Sequence, residues 1–217
     1  MNQQPGTGDS LVLSYLGLRK AIGIIGIALP FVLAFGKILF DSPGIQSSVS
    51  AYYYTVMRDV FVGSMCAMAM FLMSYRGYER QDALAGKLAC FFALGLALFP
   101  AAPEINATQH ARLVGALHLT FAASFFLTLA YFCLVLFRKT NPAKTPTPRK
   151  LQRNTVYTVC GYAILACLAL SIAVGLTPRD APFRKLEPIF WLEALAIVAF
   201  GLSWFTKGEA ILKDVET

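Results

Sequence analysis

The residues with most chemical potential in this chain are ionisable side chains that interrupt long apolar runs. His118 lies within GALHLTFAASFF and Glu193 within FWLEALAIVAFGLSW, while Asp59 stands where SSVSAYYYTVMRDVFVG turns apolar. An ionisable group in such a run is costly to bury, so it usually faces the inside of a helix bundle and marks a functional site. These residue types suit proton transfer, metal coordination or hydrogen bonding to a polar ligand.

Enzymatic use of these side chains is one hypothesis, in which Asp59, His118 and Glu193 are the candidate catalytic residues and metal ligands. The sequence has no H-E-x-x-H spacing, so the metal signal is weak. Ser50 could be combined with His118 and Asp59, but it lies in no G-x-S-x-G elbow. A Walker A loop and a Rossmann fingerprint are both absent, and the sequence assigns no cofactor.

A binding site is the second hypothesis, because further polar residues cluster near the same ends of the apolar runs. The predicted pocket and its rim comprise Ser50, Tyr53, Arg58, Asp59, Arg112, His118 and Glu193. The two arginines would engage an anion, Glu193 and His118 would handle polar groups or protons, and tyrosines would frame the entrance. A structural alternative pairs Glu193 with Lys37, Arg58 or Arg112, and another lets Lys37 extend to the lipid headgroups.

Composition identifies the environment of these residues. The chain is 57% hydrophobic and 14% charged, whereas a soluble domain is about 45–50% apolar and about 25% charged. The net charge of +7 accompanies no RNA- or DNA-binding module, so we expect no nucleic-acid partner. The five cysteines lie in apolar segments without a C-x-x-C pair, which favours packing roles over a disulfide framework or a zinc site.

Six segments approach the roughly 20 apolar residues that cross a bilayer. They cover about residues 20–40, 59–75, 85–101, 113–137, 155–176 and 187–206. The pattern predicts an all-α, polytopic membrane helix bundle that forms a single domain over residues 1–217. Pro30 should kink the first helix, Trp191 and Trp204 should lie at the two membrane interfaces, and no removable signal peptide is predicted.

The distribution of Lys and Arg predicts the orientation of the bundle. Thirteen of the 19 lie at the termini, in the second-to-third connection and in a basic loop over residues 138–154. By the positive-inside rule, both termini are then cytoplasmic and the protein is a multi-pass protein of the inner (plasma) membrane. Asp59, His118 and Glu193 all fall near the outer ends of their helices, so the predicted pocket opens outward.

The SxSAYYYTxMRDVFVG stretch, a histidine early in the fourth span and WLEALAIVAFGLSWFTKGE in the sixth resemble small bacterial six-span membrane proteins of unknown function. The resemblance covers about residues 15–212 and implies the fold of that group. At longer range the architecture is similar to DRAM/Sfk-like membrane proteins and to the CREST hydrolases, whose Ser, Asp and His residues lie in the outer half of a bundle. This chain has only His110 and His118, without a paired histidine motif in a final helix.

Three functions follow as hypotheses from these observations. The first is binding or transport of a lipid headgroup or small anionic ligand, with membrane lipids as partners. The second is a membrane-embedded hydrolase, with or without a metal. The third is a structural partner subunit of a membrane complex, in which the polar residues only fix helix packing. The sequence leaves the ligand and the oligomeric state open.

Overall fold

A computed structural model describes residues 7–75, 77, 79–103, 105–140, 145–178 and 180–212. Across these ranges the fold is all-α with no strand, and the predicted fold class is confirmed at that level. The helices are α1 Thr7–Phe40, α2 Arg58–Met73, α3 Arg80–Leu98, α4 Gln109–Tyr131, α5 Pro148–Gly175 and α6 Pro188–Lys207. A π-helical turn, Phe132–Leu136, continues α4, and 3-10 turns occupy Ser50–Tyr54 and Pro182–Leu186.

Five of the helices are long and apolar enough to cross a membrane. These segments are Tyr15–Phe40, Arg80–Leu98, Gln109–Leu136, Pro148–Gly175 and Pro188–Lys207. On α1, Phe31, Phe35 and Leu39 are spaced four residues apart and are 48%, 63% and 74% exposed. Such an apolar stripe suits contact with lipid and would promote aggregation in water.

Two helices begin well before the predicted apolar segments. Helix α5 starts at Pro148. The residue before it, Thr147, caps the helix, because its side chain accepts a hydrogen bond of 3.1 Å from the Lys150 amide. Threonine as the cap followed by proline is a favourable helix start, so the predicted basic loop 138–154 contains the first turns of α5. Helix α1 likewise starts at Thr7 and continues through Pro30.

Some predicted features fall on positions outside the described ranges. The charge count that predicts the orientation includes four residues outside these ranges, namely Arg76, Lys144, Arg179 and Lys213. Residues 141–144 of the predicted basic loop also lie outside them.

The helices form a closed ring in chain order. Each packs against the next one along the chain, and α1 closes the ring by packing on α6. Glycines allow α1 and α6 to touch through their backbones, because a Cβ added at Gly201 would lie 2.8 Å from the Gly23 carbonyl oxygen. The ring leaves a central space that five of the six helices can line.

The end of the ring that holds the start of α1 and the end of α6 is packed with aromatic rings. Trp204 is fully buried there, with ring centroids 5.1 Å from Tyr75, 5.5 Å from Phe132 and 5.2 Å from Phe137. Trp204 is therefore enclosed by rings from the chain that follows α2 and from the end of α4, whereas Trp191 is 55% exposed. The interface positions of both tryptophans stay predictions.

Candidate functional site

Glu193 lies in the second turn of α6 and binds the backbone of the segment that joins α1 to α2. This segment comprises residues 41–57, and its Val49 amide donates a hydrogen bond of 2.8 Å to Glu193 Oε2. The Ser50 backbone also interacts with the same carboxyl group. The carboxyl group of Glu193 is therefore held by backbone amides of this segment.

A cavity of about 20 Å³ lies beside Glu193 in the middle of the ring. Its walls come from α1, the 41–57 segment, α2, α3, α4 and α6, and they consist of Leu29, Val49, Ser50, Phe61, Met65, Met68, Leu96, Phe125, Phe126, Leu129, Glu193, Ile197 and Phe200. Ser50 and Glu193 are the polar members of that lining. A space of this size holds about one water molecule, so it is a small chamber in this conformation.

The 41–57 segment lines one side of this chamber through Val49 and Ser50, and Lys37 holds the beginning of the segment in place. The side chain is 5% exposed, and its ammonium donates to Ser42 Oγ at 2.9 Å and to the carbonyl oxygens of Ser42, Pro43 and Gly44 at 3.0–3.3 Å. An ammonium group has three hydrogens, so these four acceptors share them. Lys37 therefore points back into the protein and fixes the turn that follows α1.

Two tyrosines fasten the other end of the same segment. Tyr52 is fully buried against Phe190 of α6, with ring centroids 6.0 Å apart, and this burial raises the pKa of its phenol. The Tyr54 hydroxyl donates a 2.7 Å hydrogen bond to the carbonyl of Ala101, beyond the end of α3. The segment is thus attached to both α6 and the α3–α4 connection.

Arg58 and Tyr53 form a separate pair at the start of α2. The guanidinium lies 4.4 Å from the centre of the Tyr53 ring and donates a 2.8 Å hydrogen bond to its hydroxyl. Arg58 is exposed, as are Asp59 and Arg112. These three side chains are outside the lining of the chamber, and the two arginines remain accessible to an anion at this end of the ring.

His118 ties α4 to the end of α3. It is 2% exposed, and its Nδ1 lies 2.7 Å from the Phe99 carbonyl oxygen. A carbonyl can only accept, so Nδ1 carries the hydrogen of this bond and is not available to a metal. His118 is not part of the chamber lining.

The structure therefore divides the predicted pocket into three parts. Ser50 and Glu193 meet at the chamber, Tyr53 and Arg58 pair outside it, and His118 is engaged between α3 and α4. Within the described part of the chain, no three His, Cys, Asp or Glu side chains are grouped as metal ligands.

Sequence reasoning missed the role of the 41–57 backbone and a group of basic residues at the opposite end. The Val49 amide has no sequence signature, since every non-proline residue has one. The basic group comprises Arg19, Lys150, Arg153 and Lys207. Their positions near the start of the apolar part of α1, near the start of α5 and at the end of α6 could have indicated a common level.

Comparison with known proteins adds no relative: no family model, curated protein or solved structure matches the chain. The resemblance to six-span membrane proteins stays a prediction.

Proposed function

We propose that all six helices cross the inner (plasma) membrane, with both termini in the cytoplasm. Five helices have the required length and apolarity, and α2, with 16 residues, spans about 24 Å at 1.5 Å per residue. Packing between α1 and α3 lets this shorter helix cross as part of the ring. The excess of Lys and Arg on one side supports the orientation.

This topology is testable with a reporter that is active only on one side of the membrane. Alkaline phosphatase, which needs the oxidising exterior, is expected to be active when inserted after Pro43 and inactive when inserted after Thr145. A fluorescent protein that matures in the cytoplasm should show the reverse pattern. Equal activity at the two positions, or the opposite pattern, contradicts the topology.

We further propose that the protein binds or transports a lipid headgroup or a small anionic ligand at the end of the ring that holds the 41–57 segment. The observation that carries this proposal is Glu193, a carboxylate on the wall of a mostly apolar chamber that is held by backbone amides. An ionisable side chain is costly to bury in this way, which favours a role beyond packing.

The two kinds of polar group at this end suit the two parts of such a ligand. Arg58 and Arg112, both exposed, would pair with phosphate or carboxylate oxygens. Glu193 would accept hydrogen bonds from hydroxyl or amino hydrogens of the same headgroup. In this proposal the 41–57 segment moves aside for entry, because the chamber as it stands holds about one water molecule.

The test compares lipids and small anions that stay bound to purified protein in native mass spectrometry. Glu193→Gln and Arg58→Gln are each expected to lower the bound fraction of the preferred headgroup class roughly tenfold, since one charged hydrogen bond is worth about 1.5–3 kcal/mol. Asp41→Asn is the matched control, because Asp41 is an exposed acid in the same segment. Wild-type protein without any enriched headgroup, or a loss in the control alone, contradicts the proposal.

A structural subunit is the second candidate, and specific contacts favour it. Lys37, His118 and Glu193 all bind backbone groups of neighbouring segments. If packing is their whole function, Glu193→Gln changes the thermal stability of the protein while no variant changes the bound molecules.

A further inference from the structure

We propose a second site, at the end of the ring opposite the 41–57 segment, that binds a phosphate group. Its residues are Arg19 of α1, Lys150 and Arg153 of α5, and Lys207 of α6, which we call the basic cluster. All four are partly buried. Lys207 lies within electrostatic range of each of the other three.

Aromatic rings form the floor under these cations. The Arg19 guanidinium lies 4.4 Å from the centre of the Tyr15 ring and 5.8 Å from that of Tyr75. The Lys207 ammonium lies 5.5 Å from the Phe137 ring centre. Because these rings exclude water, an anion would be attracted more strongly here than at a fully solvated patch of lysines.

Described cations outnumber described acids around Lys207. Asp82 and Glu209 are acids within electrostatic range of Lys207 and Tyr157 respectively. Asp82 lies 3.5 Å from Lys139 and accepts a hydrogen bond of 3.1 Å from the Glu79 amide. It is therefore already engaged in capping the N-terminus of α3. The Glu79 carboxylate, by its hydrogen bond, raises the pKa of Lys139. Among the described residues, three cations, Arg19, Lys150 and Arg153, and one acid, Asp82, act electrostatically on Lys207.

Two buried nitrogen donors at this end lack a hydrogen-bond partner among the described residues. Arg19 Nη1 donates to the Lys207 carbonyl at 3.3 Å, but Arg19 Nε and Trp204 Nε1 have no hydrogen-bond partner among the described residues. A buried donor without a partner is costly, and phosphate oxygens are strong acceptors for the planar guanidinium. The chemistry at this place is that of donors and cations, which selects an anion with several acceptor oxygens.

A phosphate could come from an anionic phospholipid or from solution, and the experiment separates these sources. Thermal unfolding of the full chain in detergent is followed with sodium phosphate, with phosphatidylglycerol micelles, with phosphatidylcholine micelles and with sodium chloride at matched ionic strength. We expect phosphatidylglycerol to raise the midpoint by on the order of 5 °C over both phosphatidylcholine and chloride. A similar rise with sodium phosphate shows that the free anion suffices.

The variants Arg19→Gln and Lys207→Gln should lose most of that rise. Arg149→Gln should keep it, because Arg149 is an exposed residue of α5 whose side chain binds Gln152 at 3.1 Å. If Arg19→Gln fails to fold, the proposal is tested by the loss of the phosphatidylglycerol-dependent rise in Lys207→Gln alone. A wild-type midpoint that chloride raises as much as phosphate and phosphatidylglycerol, or an equal loss in Arg149→Gln, overturns the proposal. The Glu193 site is probed separately, so either proposal can fail alone.

Discussion

Replacement of Gly201 by leucine is expected to prevent α6 from packing on α1 and to remove most of the folded protein. A Cβ at this position would lie 2.8 Å from both the Gly23 carbonyl oxygen and the Ile27 amide nitrogen. Backbone atoms cannot move aside as a flexible side chain can, so the two helices would have to separate. We expect a loss of about 3 kcal/mol or more, measured as folded yield and thermal midpoint in detergent.

Gly63 provides the matched control, because it also lies within a helix but has nothing within 4 Å of an added Cβ. Gly63→Leu should leave the midpoint unchanged or raise it, since leucine is a better helix former than glycine by up to about 1 kcal/mol. Equal losses at the two glycines would show that the close approach of α1 and α6 is not what Gly201 provides.

Lys37→Met should free the beginning of the 41–57 segment and lower the free energy of unfolding by about 2–3 kcal/mol. The substitution keeps most of the side-chain length but removes a cation that binds Ser42, Pro43 and Gly44, and hydrogen bonds to charged groups are worth about 1.5–3 kcal/mol. Hydrogen exchange should then accelerate at the amides of residues 44–49, including the Val49 amide that binds Glu193.

The control is Lys87→Met, which changes an exposed lysine of α3. It should affect neither the unfolding free energy nor exchange in the 41–57 segment. Unchanged exchange in Lys37→Met would mean that the tyrosine contacts alone hold the segment in place.

The sequence predicts the six helices because each contains a continuous apolar run, and five of these helices are also long and apolar enough to cross a membrane. It misses the starts of α1 and α5, since those turns contain polar residues and depend on local capping, as at Thr147. Hydropathy reports which residues are apolar and says little about a polar turn that remains helical outside the apolar core.

The candidate site is predictable only in part, because the sequence gives the level of a residue along a helix but not the direction of its side chain. Position along a helix gives the approximate level of a residue. Arg58 begins α2 and Glu193 lies in the second turn of α6, whereas His118 lies in the third turn of α4, because that helix begins earlier than predicted, at Gln109. The direction in which each side chain points depends on helix rotation and on which helices are neighbours. Glu193 could be singled out as an acid in an apolar run, but its partner at Val49 is 144 residues away in the chain.

The contact between α1 and α6 joins the first helix of the chain to the last, so it can form only late in synthesis. During translation α1 and the 41–57 segment emerge first, whereas the helix that supplies Gly201 and Glu193 emerges after the other five. Until α6 is present, Gly23 and Gly26 of α1 lack their contact with Gly201, and the Val49 amide lacks its hydrogen bond to Glu193. The ring can therefore close only after α6 has been synthesised.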